Sequence, residues 1–246
     1  MTKQIARLIP LLLVAWGVPL AGQAPPPRIS VAVHGGYQPT TSRFEDSFTF
    51  ARYQETGSTR VEYPMGGAFL FDAGAGVRLW RRLGAGLVVS RVGRASTAST
   101  RSFIPHPLYL DTPRQVDGEA DAVQRAETGI HFHVRYEAAS RGPLRIVISG
   151  GPSVLRVRQT LVTEARVREE YPYDTAEFGG VNTREVEGRA NGFNVGADLG
   201  WMFARHLGLG GTLRLTRAVI DLDADQRRIP VDAGGAHIGV GLRLTF

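Results

Sequence analysis

At the end of the chain Ala236, Ile238, Val240, Leu242, Leu244 and Phe246 take every second position, with His237, Gly239, Gly241, Arg243 and Thr245 between them. Successive side chains of a strand point to opposite faces, so this segment has one apolar face and one polar or small face. Such a strand must bury its apolar face against a protein core or against lipid. Soluble sandwiches seldom place an aromatic at the final position.

The opposite end is built differently. Lys3 and Arg7 precede an apolar run from Leu8 to Leu20, followed by Ala21-Gly22-Gln23-Ala24. A basic start, a short apolar stretch and small residues predict a cleaved signal peptide over residues 1–24 and a mature chain over 25–246. The run is too short for a helical membrane anchor, which needs about 20 residues to cross a ~30 Å hydrocarbon core. Pro10 and Pro19 also interrupt it. No later segment reaches 18 apolar residues, so no spanning helix is predicted.

The chain has no cysteine, so an exported fold must rest on sheet pairing and burial rather than disulfides. Its 30 glycines suit strands that curve tightly around a narrow interior. The formal charge of +6 raises the question of nucleic acid. Lys3 is the only lysine, however, and the arginines are scattered over strands and connections rather than gathered on one helix. Nucleic-acid binding is not expected.

Eight alternating segments can be read: about 28–37, 69–80, 83–94, 128–138, 144–157, 193–203, 207–216 and the C-terminal strand. The fourth alternates most cleanly, with Ile130, Phe132, Val134 and Tyr136 against His131, His133, Arg135 and Glu137. In the fifth, Leu144, Ile146 and Ile148 give way to Leu155 and Val157 after Gly150-Gly151-Pro152. That switch of apolar parity predicts a bulge. Leu79-Trp80-Arg81-Arg82-Leu83-Gly84-Ala85-Gly86 is echoed by Phe203-Ala204-Arg205-His206-Leu207-Gly208-Leu209-Gly210, which implies two hairpins of one kind.

Short turns fall near 81–82, 140–143 and 205–206, and long polar stretches at 39–67, 96–126 and 161–190, with a shorter one at 223–230. Short turns at one end and long loops at the other are the plan of transmembrane β-barrels. Trp80, Tyr136, Trp201, Phe203 and Phe246, at strand ends, fit an interfacial girdle. A soluble cup or sandwich is the alternative. Against it, the inward faces would carry Asp72, Arg78, His131, Arg135, Glu137, Asp198, Arg214 and Arg243, and the opposite faces are almost purely apolar.

On these residues the whole mature chain resembles the outer membrane protein β-barrel domain group, the small eight-stranded barrels of OmpA/OmpX type. The resemblance implies an all-β, eight-stranded antiparallel up-and-down transmembrane barrel in the bacterial outer membrane. It implies that Val240, Leu242, Leu244 and Phe246 act as the C-terminal insertion signal. It also implies contact with outer-membrane lipid, lipopolysaccharide and the barrel-assembly machinery. Unlike in OmpA, no periplasmic domain is expected after Phe246.

Chemistry-bearing motifs are sparse. His131-x-His133, with His237 or His34 as a third ligand, has a spacing that some metal sites use. No cysteine or carboxylate is fixed beside it, and a hydrogen-bonded interior is the expectation. Asp221-x-Asp223-x-Asp225 has Gln226 where a calcium loop needs Gly, and Asp232 where it needs Glu. A lipid-acting barrel enzyme would need His and Ser facing lipid at a rim, whereas His34, His131, His133 and His237 face inward. Gly150-Gly151-Pro152-Ser153-Val154 is not a nucleophile elbow. No catalytic, metal or cofactor residues are expected.

The inward charges Asp72, Arg78, Arg135, Glu137, Arg145, Asp198, Arg214 and Arg243, with His131, His133 and His237, are expected to form a structural polar network that plugs the lumen. The functional expectation is a non-enzymatic scaffold presenting the stretches 39–67, 96–126 and 161–190 to an extracellular ligand. Phe44, Phe48, Phe50, Tyr53, Tyr63, Tyr171, Tyr173 and Phe178 lie in these stretches. They could anchor a partner, but extending the strands or packing on one another is the stronger expectation. The alternative function is a narrow channel favouring anions.

Overall fold

The computed structural model describes residues 28–39, 42–224 and 227–246. The expected signal peptide, residues 1–24, and Asp225 and Gln226 of the acidic motif lie outside the described residues. The strands are β1 (Ile29–Gln38), β2 (Ser42–Arg52), β3 (Glu55–Met65), β4 (Ala68–Trp80), β5 (Leu83–Ile104), β6 (Arg114–Arg141), β7 (Leu144–Glu169), β8 (Ala176–Met202), β9 (Leu207–Ala224) and β10 (Arg227–Thr245).

They form one antiparallel sheet in the order β2-β3-β5-β4-β1-β10-β9-β8-β7-β6, and β5 also pairs with β6. That pairing closes β5-β4-β1-β10-β9-β8-β7-β6 into an eight-membered ring. β1 and β10 meet over Ser30–Tyr37 and Ile238–Thr245. Phe246 completes the closure: its N–H donates to the Ile29 carbonyl and its own carbonyl accepts from the Ile29 N–H, each at 2.9 Å.

The stretches 39–67, 96–126 and 161–190, expected as long loops, are mostly strand. β2 prolongs β1 beyond residue 41, and β3 leads into β4. Beside β5, β3 takes over where β4 ends: Phe69 faces Gly93, and farther out Glu62 faces Ser99 and Ser58 faces Phe103. β6 has 28 residues and β8 has 27. At about 3.3 Å per residue each is roughly 90 Å long, whereas a membrane-spanning strand needs about 9–11 residues. The stretch expected as a loop at 223–230 is likewise strand up to Ala224 and again from Arg227.

The two halves of this tall barrel have opposite polarity. In the half that contains the short turns, outward side chains are apolar: Phe71, Val77 and Leu79 on β4, Phe132 and Val134 on β6, Leu213 and Leu215 on β9, and Val240, Leu242 and Leu244 on β10 are all exposed. Inward positions hold His34, Asp72, His131, Arg214 and Arg243, all buried. In the other half the exposed side chains include the charged Arg101, Asp117, Glu119 and Asp221. Its interior is a dry core of Val61, Tyr63, Val123, Val157, Leu161, Ile220, Leu222 and Val231.

The chain does not change parity at this boundary. On β9 the inward series runs Thr212, Arg214, Thr216, Ala218, Ile220, Leu222, polar first and then apolar. This corrects the bulge expected at Gly150-Gly151-Pro152. Register across it is unbroken, with Ser149 facing Gly196, Gly151 facing Asn194 and Ser153 facing Gly192. Leu155 and Val157 point inward like Ser149 and Ser153; the interior has become apolar around them. The register shifts of β7 against β8 lie farther out, between Val162 and Glu164 and between Arg166 and Val167.

One seam in the outer half is left unzipped. β10 pairs with β9 from Arg227 onward, but with β1 only from Ile238, so its first eleven residues have a free edge opposite the free edge of β2. Arg227 bridges the seam, donating from Nη1 to both carboxylate oxygens of Asp46 at 2.6 and 2.7 Å, with its guanidinium over the Phe48 ring. Pro230 lies on this edge, where a residue without an N–H is tolerated and blunts strand addition.

Candidate functional site: the barrel interior

The interior is stratified along the barrel axis. Nearest the turns, Arg78 lies 3.9 Å from Glu137, and Arg243 lies 3.3 Å from Asp198. Arg135 donates to the Ser30 hydroxyl at 2.8 Å, and Arg145 lines the same cavity. The inward glycines make room for these long side chains. A Cβ on Gly76 would lie 1.6 Å from Nη1 of Arg135, so any larger residue there would displace the guanidinium.

The next layer centres on Asp72, which accepts from Arg214 Nη2 and pairs with His34 Nδ1, both at 2.8 Å. Beside it Ser90 Oγ meets His131 Nε2 at 2.8 Å, and Ser153 Oγ meets His131 Nδ1 at 2.9 Å. Asn194 Nδ2 donates to the Ser153 hydroxyl at 2.8 Å. Both ring nitrogens of His131 are thus engaged by serines. His133 and His237 are buried in the same layer, and the His131 and His133 rings are 6.4 Å apart. Among the described residues no three His, Cys, Asp or Glu side chains converge as a metal-ligand set.

A third layer, which the sequence reading missed, separates this polar half from the dry core. Glu127 Oε1 accepts from Arg125 Nε at 2.8 Å and lies 3.4 Å from Arg94 Nη2. Its Oε2 accepts from the Gly234 N–H at 3.0 Å, and Arg125 Nη2 donates to the Asp232 carbonyl at 2.7 Å. Gln38 Nε2 donates to the Gly234 carbonyl. These groups satisfy the edge of β10 where it leaves β1. Residues 125 and 127 fell at the margin of a supposed loop. Their inward parity with His131 was the available signal.

Beyond the core, the far rim is closed by Glu169, which is paired with Arg52 and Arg114 and accepts from the Tyr53 hydroxyl at 2.9 Å. Burial alone would raise the Glu169 carboxyl, but these hydrogen bonds and the two guanidinium charges outweigh it and hold its pKa below the usual value. Asp46 at the seam goes the other way. Burial raises it, and Arg227 offsets that only in part.

The aromatic residues of the outer half divide. Phe44 stacks on Tyr63 at 4.5 Å, and Phe44 and Phe48 pack on the core. Tyr53 and Tyr171 remain exposed. The acidic residues Asp221 and Asp223 face outward on β9, and Asp223 lies 3.6 Å from Arg228. At the turn end, Trp80, Tyr136, Trp201, Phe203 and Phe246 are all exposed, and Phe246 stacks on His206 at 5.6 Å.

No protein-family model matches this chain, and no curated protein matches it. Solved structures do. The outer membrane protein OprG from Pseudomonas aeruginosa superposes with a TM-score of 0.50 at 9% identity, over 90% of this chain and 97% of that one. The outer membrane protease OmpT from Escherichia coli gives 0.47 at 10% identity, over 90% and 97%. Neisserial surface protein A gives 0.41 at 12%, over 89% and 95%. The likeness to OprG shows the fold: this chain folds as an outer-membrane β-barrel.

Proposed function

We propose that the protein is a non-enzymatic scaffold of the bacterial outer membrane, held by its apolar belt and carrying a closed, ordered extension outward. The supporting observation is the core of the outer half. Val61, Val157, Leu161, Ile220 and Leu222 fill the lumen there at 0% exposure. An ion crossing the barrel would have to pass this dry layer after the charged ones, and an uncompensated charge in such a medium costs several kcal/mol. The polar network toward the turns then serves as a plug of paired charges.

The surface offered to a partner is the outside of the extension and its exposed rim, with Tyr53, Leu108, Tyr109, Leu110 and Tyr171. The belt would contact outer-membrane lipid and lipopolysaccharide, and the β10 terminus would be read by the barrel-assembly machinery. Against catalysis, His131 and its partners Ser90 and Ser153 are all buried within the lumen, which leaves a substrate no open approach to them.

The test is conductance of the purified barrel in a planar bilayer. The scaffold reading expects no steady current. Well-defined single channels whose anion preference follows Arg135 and Arg243 would replace it with the narrow-channel reading.

A further inference from the structure

The charges nearest the turns do not balance, and we infer that this end of the lumen is a binding site for a phosphate-type oxyanion. Arg78, Arg135, Arg145 and Arg243 surround a cavity of about 60 Å3, with Arg28 and Arg82 at its edge. Glu137 is the one carboxylate lining it. Glu137 is engaged by Arg78 at 3.9 Å, and Asp198, one layer deeper, by Arg243 at 3.3 Å. Among the described residues no ion pair joins Arg135 or Arg145 to a carboxylate, and Arg135 bonds only a hydroxyl. The Nε atoms of Arg145 and Arg243 are buried without a partner.

Four inward guanidiniums against two carboxylates leave an excess of two positive charges in a confined space. Burying such charge uncompensated is costly, so the site favours an occupant that restores neutrality. Guanidinium groups present N–H donors in a planar fork that matches the oxygens of a phosphate better than a spherical halide. A phosphate group carries between one and two negative charges near neutral pH, and the cavity has room for one such group. The backbone is shaped around these side chains. Gly76 and Gly86 leave the groove in which Arg135 lies, since a Cβ on either would meet its side chain at 1.6 or 2.9 Å. The inference goes beyond the scaffold reading and depends only on the fold. Closure of the outer half makes this a dead-end site entered from the turn end.

The chemistry is shared by free phosphate and a phospholipid headgroup. The test is titration of the folded barrel in zwitterionic detergent with inorganic phosphate, followed by calorimetry and phosphorus NMR in chloride buffer. One saturable site is expected. Arg145→Gln should weaken it by about tenfold or more, as loss of a charge-assisted bond implies. Arg82→Gln, at the exposed edge, should weaken it severalfold without affecting folding, and keeps the test decisive if Arg145→Gln fails to assemble. Arg217→Gln, on the outer surface, should leave binding unchanged. Repeating the titration in phosphatidylglycerol and phosphatidylcholine nanodiscs separates the sources. Weaker phosphate binding in the anionic lipid assigns the site to headgroups, and equal binding assigns it to the free anion. Absence of saturable binding, or binding indifferent to both Arg145→Gln and Arg82→Gln, would overturn the inference.

Discussion

Arg214 on β9 reaches across the lumen to Asp72 on β4, with Nη2 2.8 Å from Oδ2, and both side chains are almost wholly buried. Between β9 and β4 in the ring stand β10 and β1, so this contact braces strands that do not pair.

Arg214→Ala strands the Asp72 carboxylate with His34 as its remaining partner. Removing one member of a buried pair costs about 3–5 kcal/mol. The expected result is a loss of that size in urea unfolding from lipid vesicles. A loss under about 1 kcal/mol would mean that water already solvates Asp72.

Ile220→Ala opens a cavity in the dry core of the outer half, at a cost of about 2–5 kcal/mol. Because that core is separate from the polar layers, the damage should be local. Limited proteolysis should cut the outer strands, while the belt-bearing half stays protected in micelles. Uniform loss of protection would show that the two halves unfold as one unit.

Val240 sits in the middle of the outward apolar series of β10 and is 72% exposed, whereas Leu244 is one residue pair from the terminus. Arginine costs about 2–4 kcal/mol at the bilayer midplane and about 0–1 near an interface. Val240→Arg should therefore impair assembly more than Leu244→Arg, read as the folded fraction by heat-modifiable gel mobility. Deleting Phe246 removes both closing hydrogen bonds to Ile29 and should impair assembly more than Leu244→Arg.

Glu169 gives the outer rim an acid sensitivity of known sign. Its folded pKa lies below the usual value of 4.5, so its stabilisation is full above that pH and is lost as pH falls through the folded value. Asp46 has the opposite sign: its raised pKa gives a contribution present at acid pH and lost as pH rises. Hydrogen-exchange protection at residues 52–55, corrected for the intrinsic pH dependence of amide exchange, should fall on acidification below about pH 4.5, and Glu169→Gln should abolish that fall. Unchanged pH dependence in the variant would rule out Glu169 as its source.

The half with the short turns was legible because lipid and water impose opposite demands on the two faces of one strand. Phe71 and Val77 outward with Asp72 and Arg78 inward can be read from alternation alone. The outer half was not legible in the same way. Outside the bilayer the wall faces water, so the apolar residues belong inside, and Leu155, Val157, Ile220 and Leu222 fall on the parity that had held Ser149, Ser153, Arg214 and Thr216. Alternation shows that two faces differ; it does not show which one is enclosed. Read with one rule throughout, the reversal on β7 looked like a bulge, and the polar outward series Ser99, Arg101, Asp117 and Glu119 looked like loop. The arginines and acids nearest the turns could be assigned to the interior by parity. Which of them pair depends on strands up to 142 residues apart, as with Asp72 and Arg214, and no local spacing encodes that.

The reversal of polarity also gives the molecule a waterline. Displaced outward along its axis, the barrel would lift Phe69, Phe193 and Ile238 into water. Displaced inward, it would drag Arg217 into hydrocarbon. Either displacement raises the free energy, so the bilayer holds the barrel at one height and the extension stands at a fixed reach from the membrane. Any partner meeting the rim meets it at that distance, set by wall chemistry rather than by a tether.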